Sequence, residues 1–173
     1  MNPLKPIVIC LCAALFYCFD YMVQVTPSVI SSQLMLHFHL NASGLGILGA
    51  SFLIPYCLLQ LPAGLIVQRY GARRILSFSA FLSALGLYLF AISTHLSLAI
   101  GGRVLLGLSA SCSFVSALYL VSQWFSPKYF AILAGTLQFL VCIGSIIGLA
   151  PIAHTLQHQP WQSIIIKMAI MAF

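Results

Sequence analysis

Acidic side chains are all but missing: Asp20 is the single Asp or Glu in 173 residues, against seven Lys or Arg. One carboxylate excludes chemistry that needs a carboxylate dyad. Long polar stretches are missing too, since only 5% of the residues are charged. A soluble domain with a wetted surface is excluded by that figure. The six cysteines, Cys10, Cys12, Cys18, Cys57, Cys112 and Cys142, include no C-x-x-C pair, so a zinc-ribbon reading has no ligands. All six fall in apolar runs, where Cys behaves as a small apolar side chain and carries no information on redox compartment.

What the chain does have is apolar length. Hydrophobic residues make up 62% and the mean hydropathy is +1.10. A helix needs about 20 apolar residues to cross the ~30 Å hydrocarbon layer. Complete spans are expected over about 4–26, with a continuation past Pro27 to 37, and over 42–67, 73–93, 96–121 and 129–153. A sixth, 161–173, has eleven residues from Ser163 onward, and at 1.5 Å each it is expected to be incomplete. The N-terminal run is too long for a signal peptide and contains Asp20, so it is expected to stay as a helix. Lys5, Arg69, Arg73, Arg74 and Lys128 fall in the N-terminal stub and in the loops after the second and fourth spans, and the opposite loops hold no Lys or Arg. The positive-inside rule then puts the N-terminus in the cytoplasm. Topology accounts for the basic balance, and nucleic acid is not expected as a partner.

The basic loop between the second and third spans reads GLIVQRYGARRIL from Gly64 to Leu76. Gly71 can supply the positive φ of a tight reversal. Arg69, Arg73 and Arg74 would sit at headgroup level. Gly64, Arg69, Gly71, Arg73 and Arg74 resemble, position by position, the G-x-L-x-D-R-x-G-x-R-R loop of the major facilitator superfamily. Arg103 and Gly107 resemble its R-x-x-x-G element; Trp124, Phe125 and Pro127 resemble its W-F-x-P turn. Pro160 and Trp161 stand where many members have G-W-R. The segment Phe16–Ser28, FYCFDYMVQVTPS, is similar to a bacterial branch, with some similarity to a lysosomal dipeptide-transporter branch.

The resemblance implies an all-α membrane protein: the N-terminal six-helix bundle of the major facilitator fold with the sixth helix truncated. It implies transport of a small solute by alternating access, no enzyme activity, no cofactor and no metal. It also implies a missing C-terminal half or a second copy, without which the chain is expected to be inactive. A bacterial inner membrane is the expected location. Gln68 departs from the family pattern, which has Asp there, so the charge that helps lock the two halves is absent. The gating loop implied is Gly64, Gln68, Arg69, Gly71, Arg73 and Arg74.

An ionisable residue within a span is by default a candidate for function. Counting helical rise from opposite faces puts Asp20 and Arg103 at about the same depth, so the two are placed where they could pair. Either the pair holds two helices together, or Asp20 takes a coupling proton or cationic group and Arg103 an anionic one. Tyr17, Asp20, Tyr21, Gln24 and Ser28 recur on one helical face. Such a stripe must face protein or water, because lipid cannot satisfy it. The path candidates are therefore Tyr17, Asp20, Tyr21, Gln24, Arg103 and Gln138, with Tyr119 and Gln123 as further donors. Lys167 is read as snorkelling.

Other signals carry less. The G-x-G-x-x-G of Gly44–Gly49 follows no strand, so it is read as helix contact and not as a dinucleotide site. Gly144 and Gly148 form a G-x-x-x-G that lets backbones approach. Asn41 starts a sequon, and serves equally as an N-cap. His37, His39, His95, His154 and His158 all lie on the side opposite the basic loops, too far from Asp20 for a Ser/His/Asp site. A response to acid is conceivable there. The competing class is a membrane module that packs and assembles without transporting.

Overall fold

The computed structural model describes residues 4–155 and 160–172. Among them every regular element is helical: α1 Leu4–Val29, α2 Ser31–Phe38, α3 Ala42–Tyr70, α4 Ala72–Ala91, α5 Leu96–Trp124, α6 Pro127–Thr155 and α7 Trp161–Met171. Five, α1 and α3 to α6, are long and apolar enough to cross a membrane. The helix count is seven where six were expected, because the first run divides at Ile30. Pro27 lies inside α1 three residues earlier, and a proline cannot donate to the carbonyl four residues back.

Helix ends follow from local chemistry. Asn41 caps α3, its side chain accepting from Gly44 N at 2.9 Å. Gly71 alone makes the α3–α4 reversal, at φ 84 and ψ 142, a conformation open to glycine. The W-F-x-P turn is equally explicit. α5 ends at Trp124, Phe125 is extended, and Pro127 opens α6, where its missing N–H costs nothing.

α5 is the centre of the bundle. Fourteen of its residues are buried, against four of α3. Small residues let its neighbours close in. A Cβ on Gly86 would lie 2.9 Å from the Gly102 carbonyl oxygen, and one on Gly102 2.8 Å from that of Gly86, so α4 and α5 touch backbone to backbone. A Cβ on Gly107 would collide with the Phe52 carbonyl of α3, and one on Gly144 with the Cys18 sulfur of α1. Gly46 and Gly49 meet nothing within 4 Å, so the helix contact expected of them is absent. Gly148 lies outside the described side chains. The outer faces carry bare aliphatics, such as Leu61 at 86% exposure and Ile146 at 70%, an apolar surface that only lipid or another apolar partner solvates well.

Two apolar clusters fill the interior. One holds Val23, Ile30, Phe90 and Trp161, the other Tyr17, Ala63, Val67 and Leu120. Asp20 falls on α1 between Tyr17 and Val23, and hence at the seam of the two.

Candidate functional site

Asp20 is 2% exposed, and both its oxygens are taken by hydroxyls. Ser83 of α4 donates to Oδ1 at 3.0 Å and Ser113 of α5 to Oδ2 at 2.6 Å. Charged groups this deep need such partners, since an unpaired one costs several kcal/mol or more.

Arg103 is 3% exposed and lies elsewhere. Its Nη1 donates to the Val23 carbonyl at 3.4 Å and its Nη2 to that of Gln24 at 3.5 Å, both on α1. Its Cζ stands 4.7 Å over the Phe52 ring of α3, close enough for a cation–π attraction. Its Nε is buried with no partner. The Asp20–Arg103 pairing that depth allowed is therefore corrected: each is held by other groups. Counting rise along α1 and α5 treats both as straight rods. The nearer serines take the carboxylate, and the guanidinium turns to the stretch of α1 next to Pro27.

A cavity of about 290 Å³ adjoins Arg103. Gln24, Val25, Pro27 and Ser28 of α1 line it with Leu45, Leu48, Gly49, Phe52 and Leu53 of α3. Of the path candidates it brings together Gln24 and Arg103. Tyr17 is buried and donates to Gln138 Oε1 of α6 at 3.1 Å, away from that cavity. Its ring lies 5.1 Å from that of Phe114. Tyr21 is half-buried, and Gln123 is exposed near the end of α5. Tyr119 lines a different groove, with Arg73 and Trp124 at the basic end. The stripe of α1 therefore serves separate partners along its length.

Gln68, Arg69, Arg73 and Arg74 are exposed around the Gly71 turn, with Gly64 half-buried about two turns back. Arg69 covers the Tyr70 ring at 5.6 Å. At the other end His37 Nε2 meets the Ser93 carbonyl at 3.3 Å, and its ring packs edgewise on Trp161 at 5.5 Å. No cluster of metal-ligating side chains occurs among the described residues; His158 lies outside them. Lys167 is exposed on α7.

Ser83 and Ser113 escape sequence reasoning. A serine in a span is read first as a small packing residue. The available signal is spacing: Ser79 and Ser83 on α4, and Ser109, Ser113 and Ser116 on α5, at i, i+4 and i+7, put hydroxyls on one buried face of each helix.

The model of the Major Facilitator Superfamily matches residues 9–173. The chain belongs to that superfamily. It is 25% identical over 150 residues to YybO, an uncharacterised transporter of Bacillus subtilis (strain 168), covering 83% of this chain and 33% of the relative. GudP of Pseudomonas putida, a probable galactarate/D-glucarate transporter, is 30% identical over 115 residues, or 63% of this chain and 25% of the relative. GarP of Escherichia coli (strain K12), described in the same words, is 26% identical over 115 residues, 63% and 26%. The chain thus spans a third or less of the length of the curated relatives it matches. This superfamily member is a multi-pass membrane protein, its five apolar helices agreeing with the family.

Proposed function

We propose that this chain supplies part of the path of a secondary transporter for a small carboxylate-bearing solute, a sugar acid in the first instance, in a bacterial inner membrane. The observation that carries the reading is the Arg103 guanidinium, buried in a span beside a cavity of about 290 Å³, with its Nε unpaired. An intramembrane cation facing a cavity marks a solute or ion path, and the planar guanidinium fork matches a carboxylate. The substrates named for GudP and GarP, both sugar diacids, support that choice.

Asp20 is the coupling residue in this account. It has no counter-charge among the described residues and is held by two neutral hydroxyls, so it gains or loses a proton without breaking an ion pair. Alternating access exposes Arg103 and Asp20 to the two sides in turn, against an opposing bundle or a second copy. The Gly64 to Arg74 loop gates the cytoplasmic side, with the N-terminus on that side too. The exposed arginines around Gly71 and the exposed Lys128 support this orientation. No step makes or breaks a covalent bond, so the reading is non-enzymatic.

The test is ligand-dependent thermal stabilisation of the purified chain in detergent. D-glucarate or galactarate raises the unfolding midpoint of the parent and leaves Arg103→Gln unmoved, by mass action on the folded state. A parent indifferent to both anions overturns the sugar-acid reading.

A further inference from the structure

Arg103 of α5 donates to a carbonyl of α1 that lies four residues before a proline. Within α1, the Val23 carbonyl would ordinarily accept from the N–H of residue 27, and residue 27 is proline. Proline has no N–H, and its ring pushes the carbonyl four residues back away from the helix axis. The acceptor left over is the one that receives Arg103 Nη1, at 3.4 Å, with the next carbonyl, of Gln24, receiving Nη2 at 3.5 Å. In a span lipid cannot satisfy a freed carbonyl, so a protein donor or cavity water must do so, and here the donor is Arg103.

We propose that Pro27 is a positioning residue: it creates the backbone acceptor that pins the outer nitrogens of Arg103, and so presents the Nε edge as the free side of the fork. The guanidinium is then fixed from three directions, by Phe52 below and by two carbonyls at one edge. A guanidinium has five N–H donors, and Nε has no protein partner. One edge therefore remains for an anion without disturbing the pins. This last point rests on the carboxylate reading above. The pinning itself does not.

The experiment separates the two. The outer guanidine nitrogens, the atoms held by the carbonyls, add to the dicarbonyl of phenylglyoxal, and Arg103 is distinguished from Arg69, Arg73 and Arg74 by mass mapping of the modified peptides. In membranes carrying the full chain, Pro27→Ala restores the helical bond to Val23, and Arg103 is expected to react about fivefold faster, the weight of one net hydrogen bond. The double variant P27A/S28P moves the missing donor one residue on and frees the Gln24 carbonyl instead, which Arg103 already touches. It is expected to return the rate to that of the parent. The control P27A/V25P keeps a proline in α1 but frees the Tyr21 carbonyl, and stays fast. Equal rates in the parent and Pro27→Ala overturn the proposal, as does a P27A/V25P variant as protected as the parent. D-glucarate is then added to the parent. Slower modification supports the carboxylate site, and an unchanged rate removes that site and leaves the pinning standing.

Discussion

Ser113 donates to Asp20 Oδ2 at 2.6 Å, joining the middle of α5 to α1 through the chain's one acidic side chain. Ser113→Ala leaves that oxygen without its donor in a buried site, an expected loss of ~1–3 kcal/mol. Ser122→Ala, at an exposed hydroxyl on the same helix, is expected to stay within ~0.5 kcal/mol. Thermal unfolding in detergent compares the two. Equal midpoints for both variants would show that the serine contributes nothing to the carboxylate.

Asp20→Asn keeps the shape and removes the charge. The expected outcome is normal membrane insertion with loss of any proton-coupled solute movement, read by uptake in membrane vesicles with the partner bundle present. Loss of insertion instead would assign Asp20 to packing, the competing class.

The spans were legible because composition and length decide them, and the loop chemistry was legible because Gly71, Asn41 and Pro127 act locally. Asp20 and Arg103 announced themselves as charges where charge is expensive. Their partners did not. Ser83 and Ser113 lie 63 and 93 residues from Asp20, and the choice between them and Arg103 depends on which faces of α1, α4 and α5 meet. The ion pair that depth allowed failed at that point, because rise per residue fixes depth along a helix but not which face meets which neighbour.

Gly107→Ala is expected to be among the costliest single methyl additions in the bundle. The new Cβ would meet the Phe52 carbonyl and stand 3.0 Å from Pro55 Cγ; overpacking of this kind costs ~1–3 kcal/mol or more. Gly101→Ala, with nothing within 4 Å, is expected to be neutral or stabilising by up to ~1 kcal/mol through helix propensity. Chemical or thermal unfolding of both variants side by side checks the contrast.

Gly71→Ala puts a Cβ on a residue at φ 84, an expected strain of ~1–3 kcal/mol. The α3–α4 turn should loosen while the spans persist. Limited trypsin digestion of membranes reads it out: cleavage at Arg73 and Arg74 should quicken without loss of helical signal. An unchanged digestion rate would mean that the turn accommodates the methyl group.

α1 and α5 are joined very differently from α4 and α5. At Gly86 and Gly102 two backbones meet with no room for a methyl group, a joint that can slide only by coming apart. α1 is tied to α5 by polar bonds, the Ser113 hydroxyl on a carboxylate and a guanidinium on two carbonyls, and to α4 by the Ser83 hydroxyl. The α4–α5 pair is the beam of this bundle, and α1 is the strut lashed to it by polar ties.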